Sequence, residues 1–171
     1  MSQGAKVTVK DASEASAAAF VQSALFARTF REGMALVEET ASYLDGEGRA
    51  ASKELSRDAA MSYAGASMRL TTQLMQIASW LLVLRAVREN EMALTEAAEA
   101  KYRLEPLAIA DSDYEFAGLP QTLLMLIENA RQLYDRIARL DGDIFSPTAP
   151  DKKTGDVAYQ QRALLDAFGG G

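Results

Sequence analysis

The chain has 171 residues, 49% of them hydrophobic and 8% aromatic, which is one domain's worth of sequence with an ordinary supply of core material. Acidic residues outnumber basic ones by 24 to 18, for a net charge of -6, and the Arg and Lys residues do not cluster, which excludes a general attraction to nucleic acid or anionic lipid. Cys and His are both absent, so disulfides, thiolate nucleophiles, Cys/His zinc sites, and histidine as general base, triad member or phosphate carrier are ruled out.

The opening "MSQGAKVTVKDASEASAAAF" is polar and alanine-rich, without the basic and apolar regions of a secretory signal, so a cytoplasmic protein is expected. Residues 1–12 are expected to be flexible. Regular helix should begin between Asp11 and Ser16, with Asp11 and Glu14 as a capping pair or Ser16 as the cap. Beyond it Phe20, Ala24, Ala27, Phe30, Met34, Val37, Ala41 and Leu44 recur at spacings of four and three, with Arg28, Arg31, Glu32, Glu38 and Glu39 opposite. This pattern predicts one amphipathic helix ending at Asp45-Gly46, with Gly46 in the left-handed cap position. Glu38 and Glu39 could belong to a carboxylate-only metal site, but are read as solvating that helix. "DGEGR" (45–49) has no strand before it and no Lys-Ser/Thr after it, so it is a turn rather than a phosphate loop.

The second long segment contains "SMRLTTQLMQIASWLLVLRAV" (67–87), uncharged between Arg69 and Arg85. A run of about 15 residues falls short of the roughly 20 that span a bilayer, and it includes Thr71, Thr72, Gln73, Gln76 and Ser79, so a core helix is expected and no membrane contact. At 100° per residue a helix from about 52 to 90 carries an apolar face of Tyr63, Leu70, Leu74, Ile77, Leu81 and Leu84. A second face holds Ala64, Met68, Met75, Ala78 and Leu82. Two faces suit two helical neighbours. The third face, with Thr72, Gln73, Gln76, Ser79, Trp80, Val83 and Val87, is uncharged and carries the single tryptophan. Thr72, Gln73, Gln76, Trp80 and Val83 are therefore expected either to meet a second copy of the chain or to be covered by the 89–119 connection.

That connection is long and acidic, with a short helix expected near Thr95. Leu119-Pro120 then opens a third helix whose apolar line is Leu123, Leu126, Ala130, Leu133, Ile137 and Leu140, closed by Asp141-Gly142. Residues 143–171 are expected to be mostly disordered, except that Tyr159, Leu164, Leu165 and Phe168 (within 159–168) have the layout of a tethered docking helix; folding back on the bundle is the alternative. The expected architecture is all-α: a three-helix bundle over 13–142 with a long central helix, an irregular helix 2 to helix 3 connection and a flexible C-terminal tail.

"FREGMALVEETASYLDGEGR" (30–49), "LSRDAAMSYAGASMRLTTQLMQIASWLLVLRAVRENEM" (55–92) and "LLMLIENARQLYDRIARLD" (123–141) resemble the alphaproteobacterial RcdA family, the regulator of CtrA degradation. The resemblance covers roughly residues 20–145 and is most specific at "SMRLTTQLMQ", "ASWLL" and "RAVRE". It implies a homodimer of three-helix bundles acting as a non-catalytic adaptor, without cofactor or metal. In that role it would help the ClpXP protease, together with the CpdR response-regulator-like factor, receive cell-cycle regulators such as CtrA. Arg85, Arg88 and Glu89 within the matching second helix are candidate partner contacts and can equally be fold-forming. Two other classes stay open from the residues themselves. One is a regulatory helical-bundle dimer binding a small ligand through Thr72, Gln73 and Gln76, and the other an enzyme using carboxylates alone.

Overall fold

A computed structural model describes residues 9–106 and 117–145 of the chain. In order, these form α1 (Val9–Gln22), α2 (Ala24–Asp45), α3 (Glu47–Ser52), α4 (Arg57–Arg88), α5 (Leu94–Ala97), a 3-10 turn at Ala100–Tyr102, and α6 (Gln121–Phe145). The all-α bundle expected from the periodicity is the observed fold. Its three long rods are α2, α4 and α6, and the 32-residue α4 is the central one.

The first segment is two helices rather than one. Ser23 leaves helical geometry (φ -76°, ψ 157°), its hydroxyl accepting from the Phe26 amide at 3.1 Å and donating to the Phe20 carbonyl at 2.6 Å. The break has a packing reason. Along one uninterrupted helix, buried Ala17 and Val21 would point about a third of a turn away from the Phe26 line. Capping at Ser23 lets both stretches face the core, and α1 packs across α2, α4 and α6. Helix is already present at Val9, so the expected start near Asp11–Ser16 lies inside α1.

The buried line of α2 also differs from the one expected. It runs through Phe26, Thr29, Gly33, Leu36, Thr40 and Tyr43, while Phe30, Met34, Val37 and Leu44 flank it half-buried and Ala24 and Ala41 are exposed. Small and weakly polar residues occupy the centre of this line because α4 approaches closely there. A side chain at Gly33 would collide with Leu81, with Ile77 and Leu133 at 3.7 Å. Gly46 likewise departs from expectation: its φ of -109° is not left-handed, and its amide reaches the Ser42 and Tyr43 carbonyls before the chain re-enters helix as α3.

Both ends of α4 follow local chemistry. Ser56 caps the first turn by accepting from the Ala59 amide. At the other end Asn90 takes φ 60°, the Asn90 amide donates to Val87 and the Glu91 amide to Ala86, which is the paired hydrogen-bond closure of a left-handed helix stop. By length and composition α4 could cross a bilayer. Its inward face nevertheless carries nine buried residues, Leu70, Leu74, Ile77, Leu81 and Leu84 among them.

Helices α2 and α4 are antiparallel, since Gly33 of α2 meets Leu81 while Gly48, in α3 just past the end of α2, meets Tyr63. Helices α4 and α6 are parallel: Gly118, just before α6, lies against Ala59, and Asp141 near its end bonds Trp80. A parallel pair cannot be joined by a tight turn, which accounts for the long stretch between Arg88 and Gln121. The expected line of α6 is found, with Leu123, Leu126, Ala130, Leu133 and Ile137 buried and Leu140 half-buried. The helix does not stop at Asp141-Gly142, however, but continues to Phe145, because Asp141 and Ile144 extend the buried line by another turn. Ending the chain after Gly142 should therefore cost about 2 to 4 kcal/mol through loss of Ile144, which is 5% exposed, whereas ending it after Phe145 should shift stability by under about 0.5 kcal/mol. Urea denaturation of the two truncated chains checks this; equal losses would show that Ile144 does not carry the difference.

Candidate protein-interaction surface

Helix α4 is apolar on opposite sides. Met61, Met68, Met75 and Leu82 stand at intervals of seven, so they drift by only about 60° along the helix and form one stripe turned away from the core. Their exposures are 68%, 73%, 67% and 50%, high enough that nothing among the described residues covers them. Exposed Ala64, Thr71, Thr72 and Ser79 lie between them, and no charge intervenes from Leu70 to Leu84. The Arg85 guanidinium lies 5.2 Å from the Phe30 ring centre, which brings the half-buried Phe30–Met34–Val37 flank of α2 beside the edge of this stripe.

The roles expected for the second and third faces of α4 are thus exchanged. Met68, Met75 and Leu82 were expected to pack on a neighbouring helix and are exposed. Of the five residues expected on an uncharged outer face, Trp80 (2% exposed) and Gln73 (7%) are buried, Gln76 and Val83 are half-buried, and Thr72 alone is open. Trp80 is covered from within the chain. Its Nε1 donates to Asp141 Oδ1 at 2.8 Å, and the same carboxylate receives Arg103 through Nε (2.9 and 3.0 Å) and Nη2 (2.8 Å). Arg103 also donates to the Asp141 carbonyl and stacks over Phe145 at 4.8 Å. The connection is clasped to the α4–α6 junction by this three-residue network. Hydrophobicity alone did not reveal it, but a Trp and an Asp at matching heights of parallel helices were a signal that knowledge of the topology would have made readable.

Beside the clasp is an open cleft of about 410 Å³ lined by Gln73, Leu104, Pro106, Arg131, Tyr134, Asp135, Ala138 and Asp141. Most of its polar groups are already engaged. Tyr134 donates to the Glu105 carbonyl at 2.5 Å, and Arg131 bonds both Glu128 and Asp135. Gln73 Nε2 is buried without a hydrogen-bond partner among the described residues. Donation from Arg131, then from Gln132, holds the Glu128 carboxyl down at about 2. Because its folded value is depressed, whatever this surface cluster adds to stability is present above about pH 4.5 and is lost as pH falls toward 2.

Of the expected partner contacts, exposed Arg85 pairs with Glu89 at 2.9 Å along one helix, and half-buried Arg88 accepts a hydrogen bond at its carbonyl from Gln22. These residues therefore also hold the α1–α2–α4 corner together. Tyr159, Leu164, Leu165 and Phe168 lie outside the described residues. Among the described residues no three His, Cys, Asp or Glu side chains gather as metal ligands.

Taken together, these observations define an all-α bundle whose central helix carries a bare methionine stripe. A family profile described as "Protein of unknown function (DUF1465)" matches residues 17–168. A solved structure, the crystal structure of RcdA from Caulobacter crescentus CB15, is similar at 52% identity and a TM-score of 0.61, covering 72% of this chain and 93% of that one. The chain belongs to the RcdA family. No functionally curated protein matches it.

Proposed function

We propose that the chain is a non-catalytic, cytoplasmic adaptor that pairs with a second copy of itself and helps deliver cell-cycle regulatory proteins to the ClpXP protease. The partners implied by the family are ClpXP, a CpdR-like response regulator and a client transcription regulator such as CtrA. The observation that carries the reading is a bundle whose central helix keeps an apolar stripe exposed, in a chain 52% identical to RcdA.

Self-pairing uses the α4 stripe in place of the Trp80 face. The residue spacing is self-complementary: in an antiparallel α4–α4 contact Met61 of one copy meets Leu82 of the other, and Met68 meets Met75. The tail segment 159–168 supplies the tethered docking peptide, a role supported by the family profile extending to residue 168. Arg85, Arg88 and Glu89 supply a second contact at the upper end of α4.

The test is client half-life in a mixture of ClpXP, the CpdR-like factor and client. Wild-type protein should shorten it, and Leu165→Asp with Phe168→Asp should lose most of that acceleration at unchanged helicity, since charge enters an apolar groove. Half-lives unaffected by the wild-type chain would remove the adaptor reading. Equal half-lives for both proteins would move the working contact from the tail to the bundle. The second reading, a regulatory dimer binding a small ligand, is favoured by the 410 Å³ cleft, and a pull-down from cytosol that yields no protein partner would raise it above the first.

A further inference from the structure

We propose that Met61, Met68 and Met75 form a peroxide-sensitive modification site, and that their oxidation separates paired chains. The inference rests on the antiparallel self-pairing described above. Three of the four stripe positions are methionine, although Leu82 shows that a side chain without sulfur occupies the same stripe. In the single chain all three methionines are two-thirds exposed or more, and no cysteine is present to intercept an oxidant first.

The chemistry is an oxygen transfer. The methionine sulfur attacks hydrogen peroxide, the O–O bond breaks, one oxygen stays on sulfur as sulfoxide, and the other leaves as water; sulfur loses two electrons and peroxide gains them. A sulfoxide is a strong hydrogen-bond acceptor. In the Met68–Met75 contact its neighbours would be thioethers, methyls and the Thr71 and Thr72 side chains. Those two hydroxyls already donate to the Ser67 and Met68 carbonyls of their own helix. The new oxygen would lose water for at most the Ser79 hydroxyl one turn away, at a cost that pairing must absorb. Attack occurs on the separated chain, so each oxidised molecule is withdrawn from the pairing equilibrium.

Met125 provides an internal comparison, being 57% exposed on α6, and Met34 is half-buried on α2. The full-length protein is treated with hydrogen peroxide across a range of protein concentrations, sulfoxide is read at each methionine by peptide mass spectrometry, and mass in solution by sedimentation. Met68 and Met75 should oxidise several-fold more slowly than Met125 at high protein concentration and at a similar rate once diluted to monomer. Oxidised protein should sediment as monomer, while a Met61→Leu, Met68→Leu, Met75→Leu variant should sediment the same before and after the treatment. Oxidised wild type that remains paired, or a triple variant that dissociates equally, overturns the switch. Untreated protein that is monomeric at every concentration overturns the self-pairing reading instead.

Discussion

Asp141→Ala is expected to destabilise the bundle by about 3 kcal/mol, lowering the melting temperature by roughly 6 to 12 °C for a chain of this size. The Asp141 side chain is 9% exposed and that of Arg103 26%. Removing the carboxylate leaves a guanidinium partly out of water with no anion, and leaves Trp80 Nε1, in a residue 2% exposed, with no acceptor. Asp141→Asn keeps an acceptor for Trp80 while losing the charge, so it should fall between. Replacing Arg103 and Asp141 together by apolar residues of similar size should recover much of the loss, because breaking a buried pair costs more than never having one. Urea unfolding of the three variants decides it. If Asp141→Ala lies within about 0.5 kcal/mol of wild type, the clasp does not hold the connection to the bundle.

The second large effect concerns assembly. Met68→Glu with Met75→Glu should weaken self-pairing at least about a hundredfold, since four carboxylates would meet and lose water in one contact. The same variant should keep its helicity and, at concentrations where the wild type is also monomeric, unfold near the wild-type midpoint, as both positions are exposed in the single chain. Sedimentation equilibrium reads the outcome against the 18.5 kDa monomer mass. A doubled mass unchanged by the two glutamates would place the pairing surface elsewhere, and Trp80→Glu, which should unfold the chain rather than separate copies, is the contrasting control.

What could be read in advance divides by mechanism. The lines of α6 and the inner face of α4 were legible because Leu and Ile repeat at helical spacing there, and burial follows hydrophobicity. In α2 the same rule misplaced the core by about a third of a turn. The innermost positions are Thr29, Gly33 and Thr40, chosen for close approach, while the greasier Phe30 and Met34 were left at the edge. The break at Ser23 carries neither Gly nor Pro, and only the phase of Ala17 and Val21 gives it away. The two flanks of α4 are nearly equal in hydrophobicity, so neither composition nor periodicity could tell which met a neighbour. That depended on α6 running parallel to α4, a property of the whole topology. For Trp80 two covers stayed open, a second copy or the 89–119 connection; the structure shows the second, through Arg103, and the sequence could not choose because Asp141 and Arg103 are 61 and 23 residues away in the chain.

The parallel pairing of α4 and α6 also bears on the order in which the molecule comes apart. Helices α2 and α4 are neighbours in the chain and can close as a local hairpin, whereas α6 docks only after the whole crossover has returned, a contact of long loop-closure separation. The last partner to join is the natural first to leave, as a cooperative unit below the global unfolding energy. The only tryptophan stands at that boundary, its indole N–H tied to α6. Its fluorescence is thus a gauge of α6 undocking, and amide exchange along α6 should outpace that along α4 even where circular dichroism still records a fully helical protein.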